Sequence, residues 1–133
     1  MAKKDVLIIV GSESDRDRVT GAFEVLDQAG VGYDFVVSST HRNPEQTAQI
    51  AKDARSKGYR VVIAAAGLAA ALPGFIASLT DLPVIGVPLD VGPLRGVDAL
   101  YAMAQLPSGC PVGTVGIGNA KNAALLALRI LKC

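Results

Sequence analysis

One histidine, His41, stands beside Arg42 in "SSTHRNP" (Ser38–Pro44), and no other neighbouring pair in this 133-residue chain so readily combines proton transfer with anion binding. An imidazole titrates near neutral pH, so it can both take and give a proton. A guanidinium binds phosphate or carboxylate through two parallel hydrogen bonds. An ordinary loop histidine is the alternative, and a second polar segment, "GSESD" (Gly11–Asp15), weighs against it. There Gly11 permits close backbone approach, Ser12 and Ser14 bring hydroxyls, and the free N–H groups of a helix start suit an anion such as phosphate. Ser14 also reads simply as the helix cap, with Asp17 three residues on. Asp15, in the first turn, is kept ionised by the helix dipole; it either accepts hydrogen bonds from sugar hydroxyls or only steadies the dipole.

A third segment, "AAAGLAAALPG" (Ala64–Gly74), has no polar side chain. Small residues let a flat ligand lie against backbone, although tight core packing accounts for the alanines equally well. "QLPSG" (Gln105–Gly109) adds an amide at a helix end, within reach of the same site or a neighbouring one.

These segments need a scaffold, and the hydrophobic pattern supplies one. "DVLIIVG" is a β-branched run of the kind buried on both faces of a parallel sheet. "SESDRDRVTGAFEVLDQAG" then places Val19, Ala22, Phe23 and Leu26 at helical spacing and closes at Gly30. "YDFVVSS" predicts the next strand; "NPEQTAQIAKDARSKG" predicts a helix with Asn43 as cap, Pro44 in the first position, Gln46 three residues after the cap and Gly58 as terminator. The alternation continues through "RVVIAAAG", "LPGFIASLT", "LPVIGVP", "GVDALYAMAQL", "PVGTVGI" and "NAKNAALLALRIL". Strands and helices in strict alternation give a parallel sheet covered on both faces, because each crossover is right-handed and must cover a face. Ligands then bind beyond the carboxyl ends of the strands. That rim carries "GSESD", "SSTHRNP", "AAGLAAALPG" and "GVPLDVGPLRG".

Composition narrows the classes of function. The length predicts a single domain over residues 1–133. Thirteen basic against twelve acidic residues leave a net charge of +1, which provides no bulk attraction to nucleic acid or acidic membranes. With no Trp, three Tyr and three Phe, stacking platforms for bases are missing as well. Cys110 and Cys133 lack ligand or disulfide spacing, so no metal site is expected and a reducing, cytoplasmic setting is. "MAKKDVLIIVGSESD" reads as a first strand rather than a cleaved leader, and no apolar run approaches membrane-spanning length. A 50% hydrophobic, 19% charged composition predicts surface covered by other subunits. The last helix, apolar at Ala123–Leu128, Ile130 and Leu131, is expected to pack between them.

Taken in order, "GSESD", "SSTHRNP", "AGLAAALPG", "LPVIGVP", "GVDAL", "QLPSGCPVGTVGI" and "NAKNAALLA" resemble the successive signatures of the N5-carboxyaminoimidazole ribonucleotide mutase family, also called the catalytic subunit of phosphoribosylaminoimidazole carboxylase. The resemblance is collinear and spans nearly all of the chain. It implies a flavodoxin-like three-layer αβα sandwich with a central parallel sheet, a homo-octamer with active sites at subunit junctions, no metal or organic cofactor, and a nucleotide substrate of de novo purine synthesis. By resemblance, His41 is the acid/base, and Ser12, Asp15 and Arg42 hold the ribose phosphate. Ser14, Ser39 and the loop residues Ala66, Gly67, Ala69, Ala71 and Leu72 line the carboxylate and ring pocket. Thr40 stands where the family usually has alanine, Ala71 stands where it commonly has histidine, and many members carry a further carboxyl-terminal helix. Two other readings remain beside the mutase: a carboxylase using free carbon dioxide, and a nucleotide-binding homologue without turnover, to which Ala71 points. A receiver or flavin module would need an acidic rim cluster or ring-stacking aromatics, and neither stands out.

Overall fold

The computed structural model describes residues 3–133; Met1 and Ala2, which open the amino-terminal stretch read above as a strand rather than a leader, lie outside them. The predicted strands form β1 (Lys4–Val10), β2 (Gly32–Val37), β3 (Val61–Ala66), β4 (Val84–Pro88) and β5 (Gly113–Thr114). All pair in parallel in the order β2-β1-β3-β4-β5. Between them lie α1 (Thr20–Gln28), α2 (Pro44–Asp53), α3 (Leu72–Ala77), α4 (Val97–Ala104) and α5 (Ala120–Leu131).

The period of two along each strand divides the core into two halves. Val6, Ile8 and Val10 of β1, Val61, Ile63 and Ala65 of β3, and Ile85 and Val87 of β4 meet Ala22 and Leu26 of α1 and the alanines of α5. Leu7, Ile9, Val62, Ala64 and Val84 face the other way, onto Ala51 of α2, Leu72 and Ile76 of α3, and Ala99 and Met103 of α4. The result is a flavodoxin-like αβα sandwich. β1, β3 and β4, the three inner strands, are buried on both faces, which is why they read as largely apolar runs. At the β2 edge Phe23 stacks on Tyr33 and meets Phe35 edge-on, with the Arg16 guanidinium over the Phe35 ring. Tyr59 donates a hydrogen bond to Asp34, and burial together with that carboxylate pushes its phenol up to about 12.

Four local expectations need correction. The first predicted helix is two pieces, a 3₁₀ stretch at Glu13–Arg18 and then α1, and Ser12 rather than Ser14 caps the first of them. Asn43 occupies the cap position of α2 but its side chain makes no capping bond, and α2 ends at Asp53, ahead of Gly58. β5 is only two residues long, Gly113–Thr114, with Pro111 shortly before it and Gly116 shortly after it, residue types that disfavour regular pairing. Finally, α5 is amphipathic within its own subunit: Ala120, Ala123, Ala124 and Ala127 are buried, and Lys121, Asn122 and Arg129 face water. Leu125 and Leu126 alone remain as large exposed apolar groups on it, so most of its apolar surface needs no second subunit.

Candidate active site

In a sheet ordered 2-1-3-4-5, the chain leaves β1 towards one edge and returns to β3 on the other side, so the loops after β1 and β3 diverge and open a crevice. A cleft of about 380 Å³ lies there. The loop after β1 contributes Gly11, Ser12 and Asp15, the loop after β2 contributes Ser39–Arg42, and the end of β3 with its loop contributes Ala66–Leu72. Three rim segments singled out from the sequence thus meet at one site.

The segment bearing His41 is fixed from both ends. Ser38, buried at the end of β2, pairs its hydroxyl with that of Thr47 at 2.6 Å, and the Thr47 hydroxyl donates to the Asn43 carbonyl at 3.0 Å. The Asn43 N–H donates to the Ser39 carbonyl at 2.8 Å, and the Arg42 N–H donates to Ser39 Oγ at 3.2 Å. The turn therefore projects His41 and Arg42 outward, and both side chains are exposed at the cleft. Arg16, Arg18 and Arg55 are each tied to a carboxylate, whereas Arg42 has no such ion pair among the described residues. Its charge is available to an anion.

On the β1 side, Ser12 Oγ accepts from the Ser14 N–H at 3.3 Å and lies 2.9 Å from Ser14 Oγ. Ser14 itself is exposed and does not line the cleft, so its hydroxyl reaches the site only through Ser12. Asp15 does line it. Burial pushes the Asp15 carboxyl above its ordinary value, with the nearby Arg18 charge and a Ser12 backbone contact pulling back. The helix dipole expected to keep it ionised is weak because α1 starts only at Thr20.

The third wall is apolar. Ala69 and Ala71 are exposed to the cleft while Ala66, Ala70 and Leu72 are buried beneath it. Gly11 lines the site as its segment predicts, and Thr40, Leu68 and Ala70 line it too, without a role assigned to them from the sequence although each sits within a segment that has one. Gln105 is not part of this cleft; it ends α4 and is exposed. The fourth rim loop stands behind the third and contributes no lining residue. Among the described residues no group of three or more His, Cys, Asp or Glu side chains is placed to hold a metal ion.

One wall thus offers a proton carrier, a free guanidinium and hydroxyls, and the other offers a flat apolar surface. A ligand that fills both has an anionic, hydroxyl-bearing part and a small planar part. Residues 5–133 match the family described as AIR carboxylase. The chain is 53% identical over 126 residues to the N5-carboxyaminoimidazole ribonucleotide mutase of Saccharolobus solfataricus, covering 95% of this chain and 80% of that protein. It is 55% identical over 124 residues to the protein of the same name from Pyrococcus horikoshii, covering 93% and 70%. The crystal structure of Treponema denticola PurE superposes with a TM-score of 0.86 at 29% identity, covering 98% of this chain and 81% of that one. With a family match over almost its entire length, close relatives at half identity and a shared fold, the chain belongs to the AIR carboxylase family.

Proposed function

We propose that this protein is an N5-carboxyaminoimidazole ribonucleotide mutase, an isomerase of purine biosynthesis that moves a carboxyl group from the exocyclic nitrogen of the substrate to its ring carbon. The observation that carries this reading is the cleft itself, in which the chain's one histidine and an arginine with no ion pair among the described residues face an alanine wall at the β1/β3 crevice. In the proposed reaction the N–carboxyl bond breaks, carbon dioxide is released within the site and the nitrogen takes a proton. The ring carbon then attacks carbon dioxide and gives up its own proton. No proton is gained or lost overall, so one group able to give and then accept suffices, and His41 is that group. Arg42, Ser12 and Asp15 hold the ribose phosphate, Ser14 supports Ser12, and Ser39 with Ala66, Gly67, Ala69, Ala71 and Leu72 borders the ring and carboxyl group. The apolar wall keeps water from carbon dioxide between the two steps. Purified protein is expected to turn over N5-carboxyaminoimidazole ribonucleotide without bicarbonate. Turnover only of the uncarboxylated nucleotide with carbon dioxide would make it the carboxylase, and binding without turnover would make it a non-catalytic homologue.

Ala71 bears on the rate. It is exposed at the cleft with ordinary helical backbone angles, so a larger side chain fits without strain. An imidazole there would add a hydrogen-bonding partner for substrate or His41 and fill space open to water. Ala71→His is expected to raise turnover by at least about tenfold, a modest share of what a positioned acid/base contributes, with little change in melting temperature. An unchanged rate with substrate bound would mean that the pocket is built around alanine.

The assembly proposed with this reading is a homo-octamer in the cytoplasm. Support comes from Leu94, Val97 and Tyr101, exposed along one stripe beside and on α4, and from the free thiols of Cys110 and Cys133. No helix among the described residues is long and apolar enough to cross a membrane. Light scattering is expected to give the mass of a large oligomer; a monomer mass would refute it.

A further inference from the structure

The loop after β4, residues 89–96, lines no part of the cleft, yet it grips the wall that does. The β3–β4 ladder ends where the Leu89 N–H donates to the Ala66 carbonyl at 2.9 Å. Beyond that bond no backbone hydrogen bond joins the two loops among the described residues, and the connection passes to side chains. Val91 Cγ2 occupies the space that a Cβ on Gly67 would need, and Leu68 Cδ2 occupies the space that a Cβ on Gly92 would need. Each loop offers a glycine to receive the other's side chain. Two backbone features mark this contact as held rather than incidental. Leu68 has φ +56°, left-handed for a residue with a bulky side chain, and Gly92 (φ +79°), Arg95 (φ +53°) and Gly96 (φ +93°) follow in the facing loop. Left-handed backbone at non-glycine residues persists only where surrounding contacts over-determine it, and such residues gather at ligand sites. Leu68 also remains 50% exposed, so burial of its own side chain does not account for the strain.

We propose that Val91 and Leu68 form a reciprocal latch that sets the distance of the alanine wall from His41 and Arg42, making Val91 a positioning residue for the reaction although it does not touch substrate. This rests on the mutase reading of the cleft. Asp90, beside Val91, pairs with Arg18 at 2.8 Å, so the same loop is also tied to the segment that carries Asp15. The fourth loop thereby bridges the first and the third from behind.

The test is Val91→Ala, Leu68→Ala and the double variant, with Val91→Ile as the conservative control that keeps the seated methyl group. Steady-state kinetics with N5-carboxyaminoimidazole ribonucleotide are read alongside hydrogen exchange of the amides of residues 67–71. Val91→Ala is expected to raise KM about tenfold, short of the roughly hundredfold that a 1 Å misplacement can cost, and to speed exchange in that loop. Its melting temperature should fall by no more than about 5 °C. The double variant should be little worse than the worse single one, because either truncation opens the same latch; Val91→Ile should restore KM. Unchanged KM in Val91→Ala overturns the proposal, whether or not exchange accelerates, as does a double variant whose effects multiply. A wild-type protein without turnover would remove the mutase reading instead, and the latch would then stand or fall on exchange alone: unchanged exchange overturns it.

Discussion

His41→Asn is expected to lower turnover by about 10²–10⁴, the range typical of a positioned acid/base, while nucleotide binding persists. Asparagine keeps a polar side chain of similar reach but cannot carry a proton at neutral pH. The fold should not notice the change, because the turn bearing His41 is held by Ser38, Thr47 and the bonds that the Ser39 carbonyl and hydroxyl accept, none of which uses the imidazole. No second histidine exists in the chain to take over, and the other cleft groups are serines, a threonine, an aspartate and an arginine. Steady-state rates, with calorimetry of the bound nucleotide on the same preparation, separate lost chemistry from lost binding. Equal activity in the variant would end the assignment of His41.

Arg42→Ala should act on the other side of that division. A hydrogen bond to a charged group contributes about 1.5–3 kcal/mol, and each 1.4 kcal/mol is about tenfold in affinity. Loss of one such contact therefore raises the dissociation constant for the nucleotide about 10- to 100-fold, and loss of a bidentate pair raises it further. Because Arg42 is exposed and carries no ion pair among the described residues, its removal strands no buried carboxylate and should leave the melting temperature nearly unchanged. Arg42→Lys should recover only part of the affinity, since an ammonium keeps the charge without the planar fork. Calorimetry at low and moderate salt measures both effects; unchanged affinity would mean that this arginine serves a different surface.

Some of the site was legible in the sequence because chemistry and punctuation coincide there. Pro44 and Asn43 mark where α2 begins, so His41 and Arg42 had to fall in the loop before it, at the carboxyl end of β2. Gly11 and the apolar run before it placed Ser12 and Asp15 in the same way. Sequence and structure differ where neighbouring residues compete for one local role. Ser12 and Ser14 both precede a helical pattern, and which of them caps depends on a 3₁₀ stretch that has no strong periodic signature. The Asp15 carboxyl was expected to be steadied by a helix dipole, but its surroundings in the folded chain desolvate it more than any local charge favours it.

Alternation of apolar and helical periods is a one-dimensional property, and by itself it determined the elements, their parallel pairing and the rim on which function sits. The lateral order of the strands is not contained in any window of sequence. In the fold β1, β3 and β4 take the three inner places, where both faces are buried, and right-handed crossovers carry β2 to one edge and β5 to the other. That order placed the crevice between β1 and β3, brought three of the four rim loops together, and put the fourth behind them, where Val91 and Leu68 exchange places against facing glycines. It also turned the alanine stripe of α5 inward against α1 and the sheet. Each of these rests on contacts between residues far apart along the chain, which only packing in three dimensions selects.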